Sequence, residues 1–263
     1  MTQSGSPNTS GILLCGHGSR DPATLDEFVN GVNGLRALLP DQDIDYGFLE
    51  LTQPSIAETL AVMYQRGCRK ISVLPGMLFA AAHVKHDIPQ ILADFQAGQT
   101  DLDTTLEITL ARELGVSDNL IKIASVRILA ALEQANQRLA VDRDETVLLV
   151  VGRGSGDEAA LRDQRLVTAR LQQSTGLKNA RNCYANVATP KMMEALSEVT
   201  GAGFKRIVLL PWFLFTGVLV QRLQGQYQDC ARINPTIDFV ETGHFGNHPL
   251  VAKTFAERYH DLS

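Results

Sequence analysis

The sequence predicts an α/β protein of two tandem doubly wound lobes, each built on a four-stranded parallel sheet. Three observations carry this expectation. The chain repeats itself: Leu13-Leu14-Cys15-Gly16-His17-Gly18-Ser19-Arg20-Asp21 aligns with Leu149-Val150-Val151-Gly152-Arg153-Gly154-Ser155-Gly156-Asp157 at an offset of 136 residues. The same register pairs Pro54 with Pro190, Glu58 with Glu194, Gly67 with Gly203, Ile71 with Ile207 and Pro75 with Pro211. Eighteen of the 77 positions from Gly11 to Asp87 are identical in the second copy without a gap, which identifies a duplication. Within each copy, short apolar runs alternate with stretches of helical spacing, the pattern of βαβ units. Finally, 44% hydrophobic and 20% charged residues supply enough apolar surface for a sizeable core. A length of 263 residues fits one large domain or two small ones, and the repeat selects two.

The elements follow in order. Ile12 to Gly16 is an apolar run ending in glycine, as a fully buried parallel strand does. Pro22 to Leu39 has helical spacing and stops at Pro40. Ile44 to Leu51 reads as the second strand, Pro54 to Gln65 as a helix with proline in its first turn, and Lys70 to Leu74 as the third strand. Val84 to Phe95 is expected as one helix, Thr105 to Ala111 as the fourth strand and Asn119 to Leu139 as the helix leading out of the copy. The second copy places strands near Thr146–Val151, Arg181–Val187, Arg206–Leu210 and Ile237–Glu241. The division expected is a disordered tail over 1–10, a first lobe over 11–140 and a diverged second lobe over 141–263, with the polar stretch Glu133 to Glu145 as linker.

Composition excludes several classes. A net charge of −5 without long Lys/Arg runs argues against nucleic-acid or membrane-surface partners, so an anionic ligand requires a local basic cluster. The longest apolar stretch, Ile207 to Val220, is 14 residues and broken by Pro211 and Gly217, short of the roughly 20 a membrane span needs. Cys15, Cys68, Cys183 and Cys230 never approach CxxC spacing, which speaks against a disulfide framework or a clustered metal motif. A reducing, cytoplasmic location is expected.

In open α/β sheets ligands bind beyond the carboxyl ends of the strands. After the first strand come His17, Ser19 and Arg20; after the second, Glu50; after the third, the segment Phe79-Ala80-Ala81-Ala82-His83-Val84-Lys85-His86-Asp87-Ile88-Pro89. Two imidazoles and a carboxylate thus converge on one end of the first lobe. Imidazole binds metals and titrates near neutrality, and a neighbouring carboxylate can relay protons. At the aligned positions of the second lobe, His17 becomes Arg153, Glu50 becomes Asn186 and His83 becomes Leu219. One reaction centre is therefore expected, in the first lobe, with the second lobe helping to form the cleft. Whether His86, His244 or His248 takes part stays open, and His260 reads as a surface residue.

These motifs resemble the class II tetrapyrrole metal chelatases, specifically the CbiX-type sirohydrochlorin cobaltochelatases and their ferrochelatase relatives. The resemblance rests on Gly-His-Gly-Ser-Arg after the first strand and on Phe-Leu-Glu before Thr-Gln-Pro-Ser. It rests equally on the Leu-Pro-Gly-Met-Leu-Phe-Ala-Ala-Ala-His-Val-Lys-His-Asp-Ile-Pro segment. It implies insertion of a divalent metal, Co²⁺ first and Fe²⁺ next, into sirohydrochlorin or a related tetrapyrrole. His17 and His83 would be the metal ligands and proton acceptors, and Glu50 the relay. Ser19, Arg20, Lys85, Arg153, Ser155 and Arg222 are the candidates for the ring carboxylates. No permanently bound cofactor is implied, the metal being a substrate. The long, duplicated form fuses what short forms assemble as a homodimer, and is compatible with a monomer. Two rival readings stand beside it: a non-catalytic tetrapyrrole or metal carrier, and a histidine phosphatase-like enzyme. The latter normally places Arg directly before the histidine, where this chain has Gly16.

Overall fold

The computed structural model describes residues 9–99 and 105–262. The first repeat lays down β1 (Thr9–Gly16), α1 (Pro22–Leu38), β2 (Asp43–Phe48), α2 (Ile56–Gln65) and β3 (Cys68–Pro75). A π-helical turn (His83–Asp87) leads into α3 (Ile88–Ala97), followed by β4 (Glu107–Leu110) and α4 (Asp118–Arg138). The second repeat gives β5 (Thr146–Gly152), α5 (Glu158–Thr175), β6 (Asn179–Tyr184) and α6 (Met192–Gly201). It closes with β7 (Arg206–Pro211), α7 (Val218–Ile233), β8 (Asp238–Glu241) and α8 (Pro249–His260).

Two four-stranded sheets result, in the orders β2-β1-β3-β4 and β6-β5-β7-β8, and every pairing is parallel. The expected fold class is what the chain adopts. Even the register is duplicated: Leu13 faces Asp45 and Val73, and Leu149 faces Arg181 and Leu209. The central strands explain why the sheets are parallel and two-sided. Ile12 to Cys15 and Val147 to Val151 are fully buried, so each needs helices over both faces. In this order the crossover direction reverses between β1 and β3, which opens a crevice at their carboxyl ends.

Several boundaries differ from the sequence reading, each for a local reason. Thr9 and Ser10 belong to β1 and not to a tail; the rest of the expected tail lies outside the described residues. Helix α2 starts at Ile56, not Pro54, because Ser55 caps it: its hydroxyl accepts the Glu58 N–H at 3.2 Å, and Glu58 accepts the Ser55 N–H at 2.7 Å. The expected linker is partly helical, since α4 runs to Arg138 and a 3₁₀ turn covers Arg143–Glu145. The expected single helix over Val84–Phe95 splits at Ile88, after a turn in which the Ile88 N–H reaches back to the His83 carbonyl.

The compact units also cut the chain differently from a division at residue 140. One unit comprises the residues through Gly115 together with Pro249 onward; the other is Val116–His248. Helix α4, although contiguous with the first repeat, packs on α5, β7 and β8 in the second unit. Helix α8 packs on α1 and β3 in the first. Arg127 of α4 donates to the carbonyls of His244 and Phe245, behind β8. Arg258 of α8 makes the equivalent bonds to the carbonyls of Glu113 and Leu114, behind β4. No described helix is long and apolar enough to cross a membrane, and all four cysteines are buried.

Candidate active site

The crevice end of the first unit is built by backbone contacts between neighbouring loops. Beyond β1 and β2 the pairing continues, with Leu49 N–H donating to Gly16 O at 2.9 Å and Glu50 N–H to His17 O at 3.0 Å. On the other side, Gly76 N–H donates to Cys15 O at 2.7 Å, which ties the end of β3 to the end of β1. Gly18 makes the close approach possible. Its φ is +95°, and a Cβ there would sit 1.8 Å from Glu50 O. Glu50 is itself held by a tight turn: Thr52 N–H donates to Glu50 O at 2.9 Å, leaving Leu51 between them at φ +67°.

These constraints deliver the expected side chains to one place. His17 Nε2 lies 3.3 Å from Glu50 Oε1. The His17 and His83 rings meet edge to face, with centroids 4.9 Å apart at 83°. His83 Nδ1 in turn lies 2.6 Å from Asp87 Oδ2. The result is a row, Glu50–His17–His83–Asp87. Its side chains are 51%, 25%, 37% and 48% exposed, so the row is open to a bulky partner. Among the described residues, no group of three or more His, Cys, Asp or Glu is arranged to cage a metal ion. Cys15 adds no thiolate, because burial pushes its pKa well above the ordinary thiol value.

The remaining candidates separate by environment. Ser19 builds the turn, its hydroxyl accepting the Asp21 N–H at 3.0 Å, while Asp21 caps α1 by accepting the Ala23 N–H at 3.0 Å. Arg20, Lys85 and His86 are exposed, Arg20 on the His17 loop and the other two on the π-helical turn. The second unit reproduces the turn without the titratable groups. Ser155 accepts the Asp157 N–H at 3.0 Å, and a Cβ on Gly154 would lie 2.2 Å from Asn186 O. Arg153 is exposed at the end of β5, and Arg222 donates to Asn186 Oδ1 at 3.2 Å, which uses part of its donor capacity. His244 and His248 lie on the segment after β8. Burial, and then the charge of Arg127, hold the His248 pKa below the ordinary imidazole value. The residue the sequence reading passed over is Asp87. The available signal was its position four residues after His83, which places the two on one helical face.

The CbiX family model matches residues 11–131 and again residues 147–262. The chain belongs to the CbiX family. The two CbiX matches start 136 residues apart, the offset of the internal repeat. Among similar proteins, a sirohydrochlorin cobaltochelatase of Priestia megaterium is 29% identical over 252 residues, covering 94% of this chain and 78% of the relative. A sirohydrochlorin ferrochelatase of Bacillus subtilis strain 168 is 26% identical over 252 residues, covering 96% and 91%. The sirohydrochlorin chelatase SirB of Bacillus subtilis subspecies spizizenii, solved in complex with cobalt, superposes with a TM-score of 0.78. It is 26% identical, with 96% of this chain and 94% of that one covered.

Proposed function

We propose that this CbiX chain inserts a divalent metal, Co²⁺ or Fe²⁺, into sirohydrochlorin or a related tetrapyrrole. The observation that carries the reading is the pair of imidazoles 4.9 Å apart with the Glu50 carboxylate 3.3 Å behind one of them. Metal insertion displaces two pyrrole N–H protons. Imidazoles at one face of the ring can deliver the ion and accept those protons, and Glu50 passes a proton from His17 to solvent, to which it is half exposed. Imidazole alone does not select the ion, because affinity follows the Irving–Williams order whatever the biological use. The similar proteins named for cobalt and for iron support both substrates.

Ring carboxylates call for donors. Ser19 and Arg20 share the loop of His17, Lys85 shares the π-helical turn of His83, and Arg153, Ser155 and Arg222 are the candidates on the second unit. Arginine suits this task through bidentate carboxylate binding. A fused repeat acting as a monomer, in a reducing cytoplasm that keeps the four thiols unpaired, completes the reading.

The test is anaerobic incubation with sirohydrochlorin and Co²⁺ or Fe²⁺, followed by absorbance. The wild-type chain is expected to accelerate metallation, with the metal and tetrapyrrole consumed in equal amounts. His17→Ala and His83→Ala should each cost roughly 10²-fold or more in kcat, the scale of lost acid–base catalysis, with unchanged circular dichroism. Binding without acceleration would favour a carrier, and a fully active double variant would end the assignment of the histidines.

A further inference from the structure

The row of four side chains is not symmetrical about its two imidazoles. His17 directs Nε2 at the Glu50 carboxylate, and its Nδ1 faces the Gly18 carbonyl at 3.3 Å. His83 directs the opposite nitrogen, Nδ1, at Asp87 Oδ2, 2.6 Å away. An ionised carboxylate only accepts hydrogen bonds, so a contact of this length places the proton on Nδ1. In neutral imidazole the other nitrogen, Nε2, then carries the lone pair. We propose that Asp87 is a positioning residue for metal transfer, fixing His83 as the Nδ1–H tautomer so that Nε2 is the atom offered to the metal or to a pyrrole proton. The proposal rests on the chelatase reading above and adds to it the residue that orients one of the two histidines.

Three further observations support it. The first is that Asp87 has no competing structural duty in capping: it stands at the N-cap of α3, yet its side chain makes no capping hydrogen bond. Its backbone is helical, at φ −70° and ψ −47°, and not in the extended conformation of a capping residue; the carboxylate reaches back to His83.

The second is the backbone that carries the pair. His83 to Asp87 form a π-helical turn closed by Ile88 N–H to His83 O. Pro89 supplies the reason: it has no N–H to offer the Lys85 carbonyl, and its ring crowds that carbonyl. The aligned residue in the second unit is Gly225, and there α7 runs as regular α-helix from Val218 to Ile233. Widened turns of this kind concentrate at functional sites, and here the widening occurs only in the unit that holds the histidines.

The third is the joint replacement of the pair. The positions of His83 and Asp87 are Leu219 and Leu223 in the second unit. Leu223 is 2% exposed and belongs to the hydrophobic core, with Leu219 packed against it. The helix can therefore bury a leucine where Asp87 stands, and the first unit instead keeps a carboxylate that is half exposed and bonded to the imidazole. The arrangement matches the general use of a carboxylate behind a metal-binding imidazole, which fixes the tautomer and ring orientation.

The experiment uses the full chain labelled with ¹⁵N-histidine, with long-range ¹H–¹⁵N spectra recorded above the neutral range and the His83 signal identified by its loss in His83→Gln. Wild-type His83 is expected as the Nδ1–H tautomer. Asp87→Asn and Asp87→Leu should shift it toward Nε2–H and lower kcat for metallation about 10- to 100-fold, the usual cost of losing such a partner. The KM for the tetrapyrrole should stay unchanged, and Asp87→Glu, which restores a carboxylate, should recover both tautomer and rate. Circular dichroism melts confirm that each variant is folded. An Nε2–H tautomer in the wild type overturns the proposal, as does an Asp87→Asn protein in which either the tautomer or kcat is unmoved. A wild-type chain that metallates no tetrapyrrole fails the chelatase reading, whichever tautomer His83 shows; an active wild type with either of the former results fails the role of Asp87 alone.

Discussion

Two glycines show how single residues divide stability from activity. Gly18 and Gly154 occupy equivalent turns, both with positive φ, and a Cβ on either would collide with a backbone carbonyl, Glu50 O at 1.8 Å or Asn186 O at 2.2 Å. Alanine at either position forces the loop off its neighbour and into strained backbone, at a cost of about 1–3 kcal/mol. Gly18→Ala and Gly154→Ala should therefore both lower the melting temperature by several degrees. Their kinetics should differ. Only Gly18 holds His17 beside Glu50, so metallation by Gly18→Ala should fall well beyond what the loss of folded protein explains, while Gly154→Ala should keep a near wild-type kcat. Equal losses of kcat in the two variants would show that the second unit's turn matters to the reaction as much as the first. The glycines themselves were plain in the sequence as Gly-His-Gly-Ser and Gly-Arg-Gly-Ser. What no periodicity could show was the loop they press against, since Glu50 and Asn186 are each more than 30 residues away.

At the scale of elements, the strands were legible because buried parallel strands are continuous apolar runs; Val147 to Val151 can hardly be anything else. Helix starts were less so. Ser55-x-x-Glu58 is a capping box in plain view, yet Pro54 set the expected boundary two residues before the helix begins at Ile56. The π-helical turn was hidden because periodicity cannot separate a widened turn from a regular one, although Pro89 marks its cause. Equivalent strand positions can also carry different physics. Lys70 of β3 pairs with Glu107 of β4 at 3.5 Å, and both side chains are mostly exposed. Its counterpart Arg206 of β7 is fully buried beneath α4, donating to Asp238 Oδ2 at 2.6 Å, Asn136 Oδ1 at 2.5 Å and Leu139 O at 2.7 Å. Removing one partner of a buried pair leaves the others desolvated and unpaired. Arg206→Met should cost about 3–5 kcal/mol, and Lys70→Met no more than about 1 kcal/mol, both read from urea unfolding. Similar costs for the two would mean that burial under α4 contributes nothing to the cluster.

At the scale of the whole molecule, the repeat in sequence and the unit in space are different objects. Arg127 and Arg258 make the same pair of carbonyl bonds in the two units, yet each sits on the last helix of the opposite repeat. The sequence could not reveal the exchange, because α4 follows β4 directly and an amphipathic helix does not say which sheet it covers. One consequence is that the first unit, which carries His17, Glu50 and His83, is completed by residues at the far end of the chain. Helix α8 buries Val251, Ala252, Phe255 and Ala256 there, and Ala252 lies so close to α1 that a Cβ on Gly34 would be 2.8 Å from it. Arg258 and Tyr259 add bonds to the carbonyls of Glu113 and Leu114 and to Gln42 Oε1. At about 1.5–3 kcal/mol for each large side chain fully buried, Val251 and Phe255 alone contribute on the order of the lower end of a whole domain's stability, about 5 kcal/mol. A chain stopped at His248 should therefore lose cooperative melting of the first unit, while the second, which keeps α4, should still melt as a unit. Adding a peptide spanning 249–262 in trans should raise the first transition in proportion to the logarithm of its concentration, as any ligand that binds only the folded state does. Because α8 contributes no side chain to the row of Glu50, His17, His83 and Asp87, the same peptide should restore metallation along with the fold. A truncated chain that melts and metallates like the full one would show that the first unit is stable on its own and that the exchanged helix is only an accessory.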